Sequence, residues 1–184
     1  MFFPFRSIST LTAKKRIMST FNLGTTGTTP IFRSFQLPPE CILRRACATD
    51  AQAIKLLMST ELLDPTGVNW SKFWVIENNK RLVAIGQLRR HPGIQELGSL
   101  MVAPNWRGQG LGTHLVQHLI EQATAPLYLS CGARLIPFYA QLGFVPISWL
   151  ALPYPLKIKF GITKLFTTLL GRHLVFMQHC HPND

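Results

Sequence analysis

The chain has 184 residues, 47% of them hydrophobic, and a formal net charge of +11. That is the length of one domain with an extra segment, and enough apolar content for a sizeable core. No apolar run reaches the ~18 residues of a helical membrane span, and no internal repeat or low-complexity tract is evident.

Residues 1–39 hold five basic residues (Arg6, Lys14, Lys15, Arg16 and Arg33) and no acid. They are rich in Ser, Thr and Phe and show no sustained period. This composition predicts an N-terminal extension outside the fold, either disordered or an organelle transit peptide. Met18 leaves room for an over-extended start. The expected domain is therefore 40–184, in the cytoplasm, or in a plastid or mitochondrion if the extension is a transit peptide. Its moderately basic body suits a polyanionic ligand, but an ordinary solvated basic surface explains the charge as well. Nucleic acid is not the expected partner.

Cys41 to Ala46 reads as a strand. Thr49 or Asp50 is positioned to cap a helix that buries Ala53, Ile54, Leu57 and Met58. Asp64-Pro65-Thr66-Gly67 is a turn signal. Trp70 to Glu77 and Arg81 to Arg90 read as hairpin strands joined by Asn78-Asn79-Lys80. His91-Pro92-Gly93 turns the chain into a strand from Gln95 to Ala103. Next come a turn at Pro104-Asn105-Trp106, the hexad Arg107-Gly108-Gln109-Gly110-Leu111-Gly112, and a helix marked by Leu111, Leu115, Leu119 and Ile120. Leu127 to Cys131 is a short strand. Arg134 to Leu142 is a short helix with Pro137 in its first turn and Gly143 at its end. Phe144 to Leu150 is a strand. Residues 155–170 form a helix with an apolar face at 158, 162, 165, 166 and 169, and His173 to His179 closes as a strand. The order is β-α-β-β-β-α-β-α-β-α-β, an α/β (α+β) chain of about seven strands and four helices.

The four cysteines (Cys41, Cys47, Cys131 and Cys180) have neither metal-ligand nor disulfide spacing, and read as reduced thiols of an intracellular protein. His179-Cys180-His181 lacks a second ligand pair, so no metal site is expected.

The hexad carries the chemistry. Amides at a helix start have no internal acceptors and bear partial positive charge, so they bind phosphate, and glycine lets the backbone approach the anion. A dinucleotide site wants Gly-x-Gly-x-x-Gly and an acid about twenty residues on. Here the glycines at 108, 110 and 112 are spaced differently, and after Glu121 the only acid is Asp184. A P-loop wants Gly-Lys-Ser/Thr, and Gly112-Thr113-His114 lacks the lysine.

Three stretches resemble the GNAT superfamily of acyl-CoA-dependent N-acyltransferases. Arg107-x-x-Gly110-x-Gly112 matches its Arg/Gln-x-x-Gly-x-Gly/Ala motif between strand and helix. Phe138-Tyr139-Ala140-Gln141-Leu142-Gly143-Phe144 looks like its second signature. Leu43-Arg44-Arg45-Ala46 with Asp50-Ala51 is similar to its opening strand and helix. The match spans roughly residues 41–180 and is strongest over 96–145.

The resemblance implies a mixed, mostly antiparallel sheet that splays between strand 97–103 and strand 127–131. Acetyl-CoA would serve as co-substrate, without a metal, for transfer to an amine acceptor. Arg107, Gly108, Gln109, Gly110, Leu111, Gly112 and Thr113 would hold the pyrophosphate. Leu100, Met101 and Val102 would pair with the pantetheine arm and polarise the thioester, with Phe138 beside them. Tyr139 is implied as general acid and Glu96 as general base. The family often has Asn seven positions before the tyrosine; here that residue is Gly132. A homodimer is compatible with the resemblance. The rival reading is a non-catalytic acyl-CoA-binding sensor on the same scaffold. Arg89, Arg90 and His91 read as an exposed hairpin end near the acceptor side, and Glu96 reads equally well as a solvated strand-edge carboxylate.

Overall fold

The structure, a computed structural model, describes residues 37–59, 69–169 and 174–180, all within the unit Phe35–Asp184. Most of the 1–39 extension, the 64–67 turn and His181 lie outside these residues. In chain order the elements are β1 (Cys41–Arg45), α1 (Ala51–Ser59), β2 (Phe73–Asn78), β3 (Arg81–His91), β4 (Ile94–Val102), α2 (Leu111–Glu121), β5 (Leu127–Gly132), α3 (Ile136–Ala140), β6 (Phe144–Ile147), α4 (Tyr154–Leu169) and β7 (Leu174–His179). The order anticipated from alternation and helical spacing is the order found.

The strands form one sheet, β1-β2-β3-β4-β5-β7-β6. Every neighbouring pair is antiparallel except β4 and β5. A parallel pair needs a crossover, and α2 supplies it. The β2–β3 turn is tight because Asn79 and Lys80 both take positive φ, 47° and 63°, which matches the right-handed twist of a hairpin.

Two helical layers cover the sheet. On one face, Leu111, Leu115 and Leu119 of α2 pack with Ile76, Ala84 and Leu129. Gly86 makes that approach possible, since a Cβ there would lie 3.1 Å from Leu119 Cδ1 and 3.3 Å from Leu115 Cδ2. On the other face, α1 packs Ile54, Leu57 and Met58 against Phe73, Val75 and Ile85. The start of α4 packs Leu156 and Phe160 against Tyr128 and Phe176. Among the described residues, no helix is long and apolar enough to cross a membrane.

Several local expectations are corrected. Ala53 is exposed and does not join the α1 face. Trp70–Lys72 form a short 3₁₀ turn rather than the start of β2, because the Asn69 side chain takes the Ser71 N–H at 3.1 Å. β6 ends at Ile147, where Ser148 begins a turn closed by the Ala151 N–H. On α4, Ile158 is 61% exposed, whereas Leu156 and Phe160, four apart, are buried. Both stripes are apolar, and the one facing the aromatic pair Tyr128 and Phe176 is the one the helix buries. The side chains at 162, 165, 166 and 169 lie outside the described set.

Neither Thr49 nor Asp50 occupies the cap position. Cys47 does, and Asp50 reaches back to accept its N–H at 2.7 Å. Asp50 also takes both terminal nitrogens of Arg44, at 2.7 and 3.0 Å, while Arg44 Nε bonds Glu77 on β2 at 2.9 Å. One guanidinium thereby ties β1, β2 and the start of α1 together. Arg44 lowers the Asp50 carboxyl pKa against the opposing effect of burial, with Cys47 adding to the lowering.

Asp50→Asn is expected to cost about 2 kcal/mol, because it removes a charge from a two-pronged, partly buried pair. The measurement is a urea midpoint shift at constant slope. Asp50 and Glu96 both have lowered folded-state pKa values. Their contribution is complete above the unfolded pKa and is lost as pH falls through the folded value, so stability should decline below about pH 4 to 5. The Asn variant should decline less steeply.

Candidate active site

Arg107, Gly108 and Gln109 are exposed on the loop between β4 and α2. Gly108 and Gly110 have φ of 76° and 77°, a conformation open to glycine at little cost. Two side chains fold the loop back on the strand end: Arg107 Nε donates to the Val102 carbonyl at 3.0 Å, and Gln109 Nε2 to the Asn105 carbonyl at 3.1 Å. Gly110 is the N-cap of α2, and its carbonyl accepts the His114 N–H at 3.0 Å. The amides of Leu111, Gly112 and Thr113 therefore have no acceptor within the helix, and Gly110 has no side chain to cap them. The Leu111 side chain points into the core, 1% exposed, so its backbone is what the loop offers.

Beside this loop the sheet opens. β4 and β5 pair only through Gln95–Leu127, Glu96–Tyr128 and Leu97–Leu129. Beyond them, Ser130 to Gly132 pair with β7 alone, which leaves β4 from Gly98 to Val102 without a β5 partner. The closed end is fastened by Gln95, whose Oε1 accepts the Thr124 and Ala125 N–H groups at 2.6 and 2.9 Å. The divergence begins at a bulge in β4. The β3–β4 register shifts there, and Ser99 takes φ of 49°, a strained value for a non-glycine residue. Leu100, Met101 and Val102 follow the bulge. Met101 packs toward α1, while Leu100 and Val102 face the α2 cluster. A Cβ at Gly112 would sit 3.6 Å from both Phe138 Cζ and Val102 Cγ2. The glycine loop, the β4 end and the Phe138-Tyr139 pair are thus brought to one place.

Tyr139 is 5% exposed and packs edge-on against Phe138 and Phe144. Burial, and secondarily the nearby Cys131 thiol, raise its phenol pKa, so it stays protonated at neutral pH. Burial also pushes the Cys131 thiol up to about 11, which leaves little thiolate for nucleophilic work. All four cysteines are free thiols. Gly132 faces open space, since a Cβ there would meet nothing within 4 Å. Among the described residues, no group of three possible metal ligands comes together.

Glu96 is not a solvated edge carboxylate. It is 2% exposed and is met by Arg89 Nη1 at 3.0 Å, His91 Nε2 at 3.0 Å and Lys159 Nζ at 2.6 Å. Burial alone would raise its pKa, but Lys159, Arg89 and His91 outweigh burial and lower it. Nor are Arg89 and His91 an exposed turn. They lie on β3 and, by strand alternation, turn inward to Glu96. Arg90 faces the opposite way and lines a separate cavity of about 380 Å³ with Arg45, Lys72 and Trp74. Sequence reading missed Lys159, Gln87 and Ser99. Gln87 Nε2 and Arg89 Nη2 both donate to Ser99 Oγ, at 2.8 and 3.2 Å. The alternation Gln87, Arg89, His91 was a usable signal for Gln87, but nothing local marked Lys159.

A family model described as "Acetyltransferase (GNAT) domain" matches residues 69–146, the span from the start of β2 through the parted strands to β6. Solved structures share the fold. N-acetylglutamate synthase from Neisseria gonorrhoeae, complexed with coenzyme A and N-acetyl-glutamate, superposes with a TM-score of 0.62 at 19% identity over 76% of this chain. This chain spans 34% of that synthase. Rv2747 from Mycobacterium tuberculosis, in complex with CoA and NLQ, gives 0.63 at 20% identity, covering 76% of this chain and 99% of its own. Escherichia coli ElaA gives 0.55 at 15%, covering 76% and 99%. No curated protein sequence matches. The matched domain begins where the sheet's hairpin begins and ends just past the Tyr139 signature, so it takes in every part of the candidate site described above except Lys159. Over residues 69–146, therefore, the chain matches the GNAT acetyltransferase domain model, on a fold shared with these structures.

Proposed function

We propose that the domain transfers an acetyl group from acetyl-CoA to a primary amine of a small molecule or protein, by direct attack of the amine on the thioester. The observation that carries this reading is the cleft between β4 and β5, which opens directly beside unpaired amides at the start of α2. The pyrophosphate is assigned to the backbone of Gln109 to Thr113, with Arg107 and Gly108 shaping the loop. The pantetheine arm is assigned to the free edge of β4 at Leu100 to Val102, with Phe138 beside it. An amide there would hydrogen-bond the thioester carbonyl and stabilise the tetrahedral oxyanion. The cofactor-bound structures of the gonococcal synthase and of Rv2747 support a CoA ligand for this fold.

An alkylammonium of pKa about 10 must lose a proton before it attacks, and the departing thiolate must gain one. Tyr139 is assigned as the proton donor to the thiolate; its burial keeps it in the protonated form. Glu96 is a poor base as it stands, because three donors already occupy its carboxylate and hold it ionised. Direct attack asks for no protein nucleophile, in keeping with the raised pKa of Cys131.

Tyr139→Phe is expected to lower kcat about 10²- to 10⁴-fold, the usual contribution of a positioned acid. Acetyl-CoA affinity by calorimetry should stay within about twofold, the mark of an interaction made only in the transition state. Turnover equal to wild type would remove Tyr139 from the mechanism. Cys131→Ala should retain acetyl transfer, and loss of turnover with acetyl-CoA binding intact would argue for a covalent thiol intermediate. If no amine or peptide releases free CoA thiol while acetyl-CoA still binds, the acyl-CoA sensor becomes the better reading.

A further inference from the structure

The cluster around Glu96 has more positive charge than its own carboxylate needs. Arg89 and Lys159 contribute two cations to one anion before His91 is counted. The arrangement is also layered. The Glu96 side chain is 3% exposed, whereas Arg89 and Lys159 are 28% and 33% exposed, so the anion lies behind and the cations face outward. Three separate elements build this layer. Arg89 comes from β3 and Glu96 from β4, and Lys159 reaches over from α4, 63 residues away. Ser99 and Gln87 then fix the second guanidinium nitrogen from the β4 bulge. Gly98 leaves room for this, since a Cβ there would lie 3.0 Å from Arg89 Nη1. Lys72 adds a further positive field at Lys159.

The position matters as much as the charge. Glu96 belongs to the second of the three pairs that join β4 to β5, at the root of the cleft. Ser99, bonded to Arg89, directly precedes the β4 segment assigned to the thioester. The cluster lies on the α1 and α4 face of the sheet, opposite α2. A guanidinium has five N–H donors, and Arg89 directs one nitrogen to Glu96 and one to Ser99. Donors remain for a planar anion, the geometry for which arginine is suited.

We propose that the acceptor is a small amine of the amino-acid class, whose carboxylate is held by Arg89 and Lys159 while its amine reaches the cleft beside Ser99. Glu96 then acts as a positioning residue that holds both cations at the root of the cleft. This rests on the cleft being the acyl site. The consequence for selectivity is direct: an amide or ester in place of the carboxylate leaves the cationic layer without its partner.

The test compares matched pairs, free α-amino acids against their carboxamides, using the full chain and acetyl-CoA with free-thiol release as readout. The carboxylates should be favoured about 10- to 100-fold in kcat/KM, the discrimination expected of a charge-assisted hydrogen bond. Arg89→Met and, independently, Lys159→Met should bring that ratio toward one, mainly through KM. A second readout does not need turnover: with CoA present, N-acetyl amino acids should raise Tm more than N-acetyl amino-acid amides. Equal or inverted preference in either readout overturns the proposal. A carboxylate preference in Tm without any thiol release would keep the anion subsite and instead overturn the acyl-transfer reading.

Discussion

The parting of β4 from β5 after three residue pairs is the constraint on which the site depends. A parallel pair held at one end by Gln95 and separated at the other leaves one side of the β4 backbone, from Gly98 to Val102, without a β5 partner in the middle of a sheet, while β3 still pairs the other side. Buried backbone groups left unpaired are costly, so such a gap persists only if water or a ligand completes it. The bulge at Ser99 turns β4 away, and β5 turns toward β7. The same strand then runs into the glycine loop, so an unpaired edge and an unpaired helix start come within one stretch of chain. An extended ligand with a polyanionic end has complementary groups at both.

The second organising feature is a charge taken out of water. Glu96 at 2% exposure would be strongly destabilising alone, and three donors from β3 and α4 offset that cost. A well-packed apolar group would serve stability as well, so the pair is better read as a device for placing cations. Arg44 does the comparable task at the β1 edge of the sheet, where Asp50 and Glu77 fix it between β1, β2 and α1. There it is structural, and its position beyond β2 keeps it away from the cleft.

Much of this was legible in the sequence, for identifiable reasons. Strand alternation, the Asn79-Lys80 turn and the Gly108-to-Gly112 loop are local signals, set by φ preferences and by periods of two or 3.6 residues. They placed the seven strands and the helices between them, while the position of the splay came from the family resemblance. Distant contacts were not legible. Lys159 sits within a helix whose apolar pattern allowed two faces, and the contest was decided by Tyr128 and Phe176 on strands far away in sequence. Glu96 read equally well as a base or as a solvated edge carboxylate, because its partners, 5, 7 and 63 residues away on β3 and α4, declare themselves only in the fold. Asp50 looked like a cap because the competing attraction of Arg44 is not a local property.

On this reading one acyl-CoA lies across both the β4 edge and the α2 start. Amide hydrogen exchange of the full chain, with and without CoA, tests it most directly. Slowed exchange is expected at Leu100 to Val102 and at Gln109 to Thr113 on adding CoA, with β1 and the outer edge of β2 unchanged. CoA binding that left both stretches unprotected, or protected only residues around the Arg45 and Arg90 cavity, would contradict it.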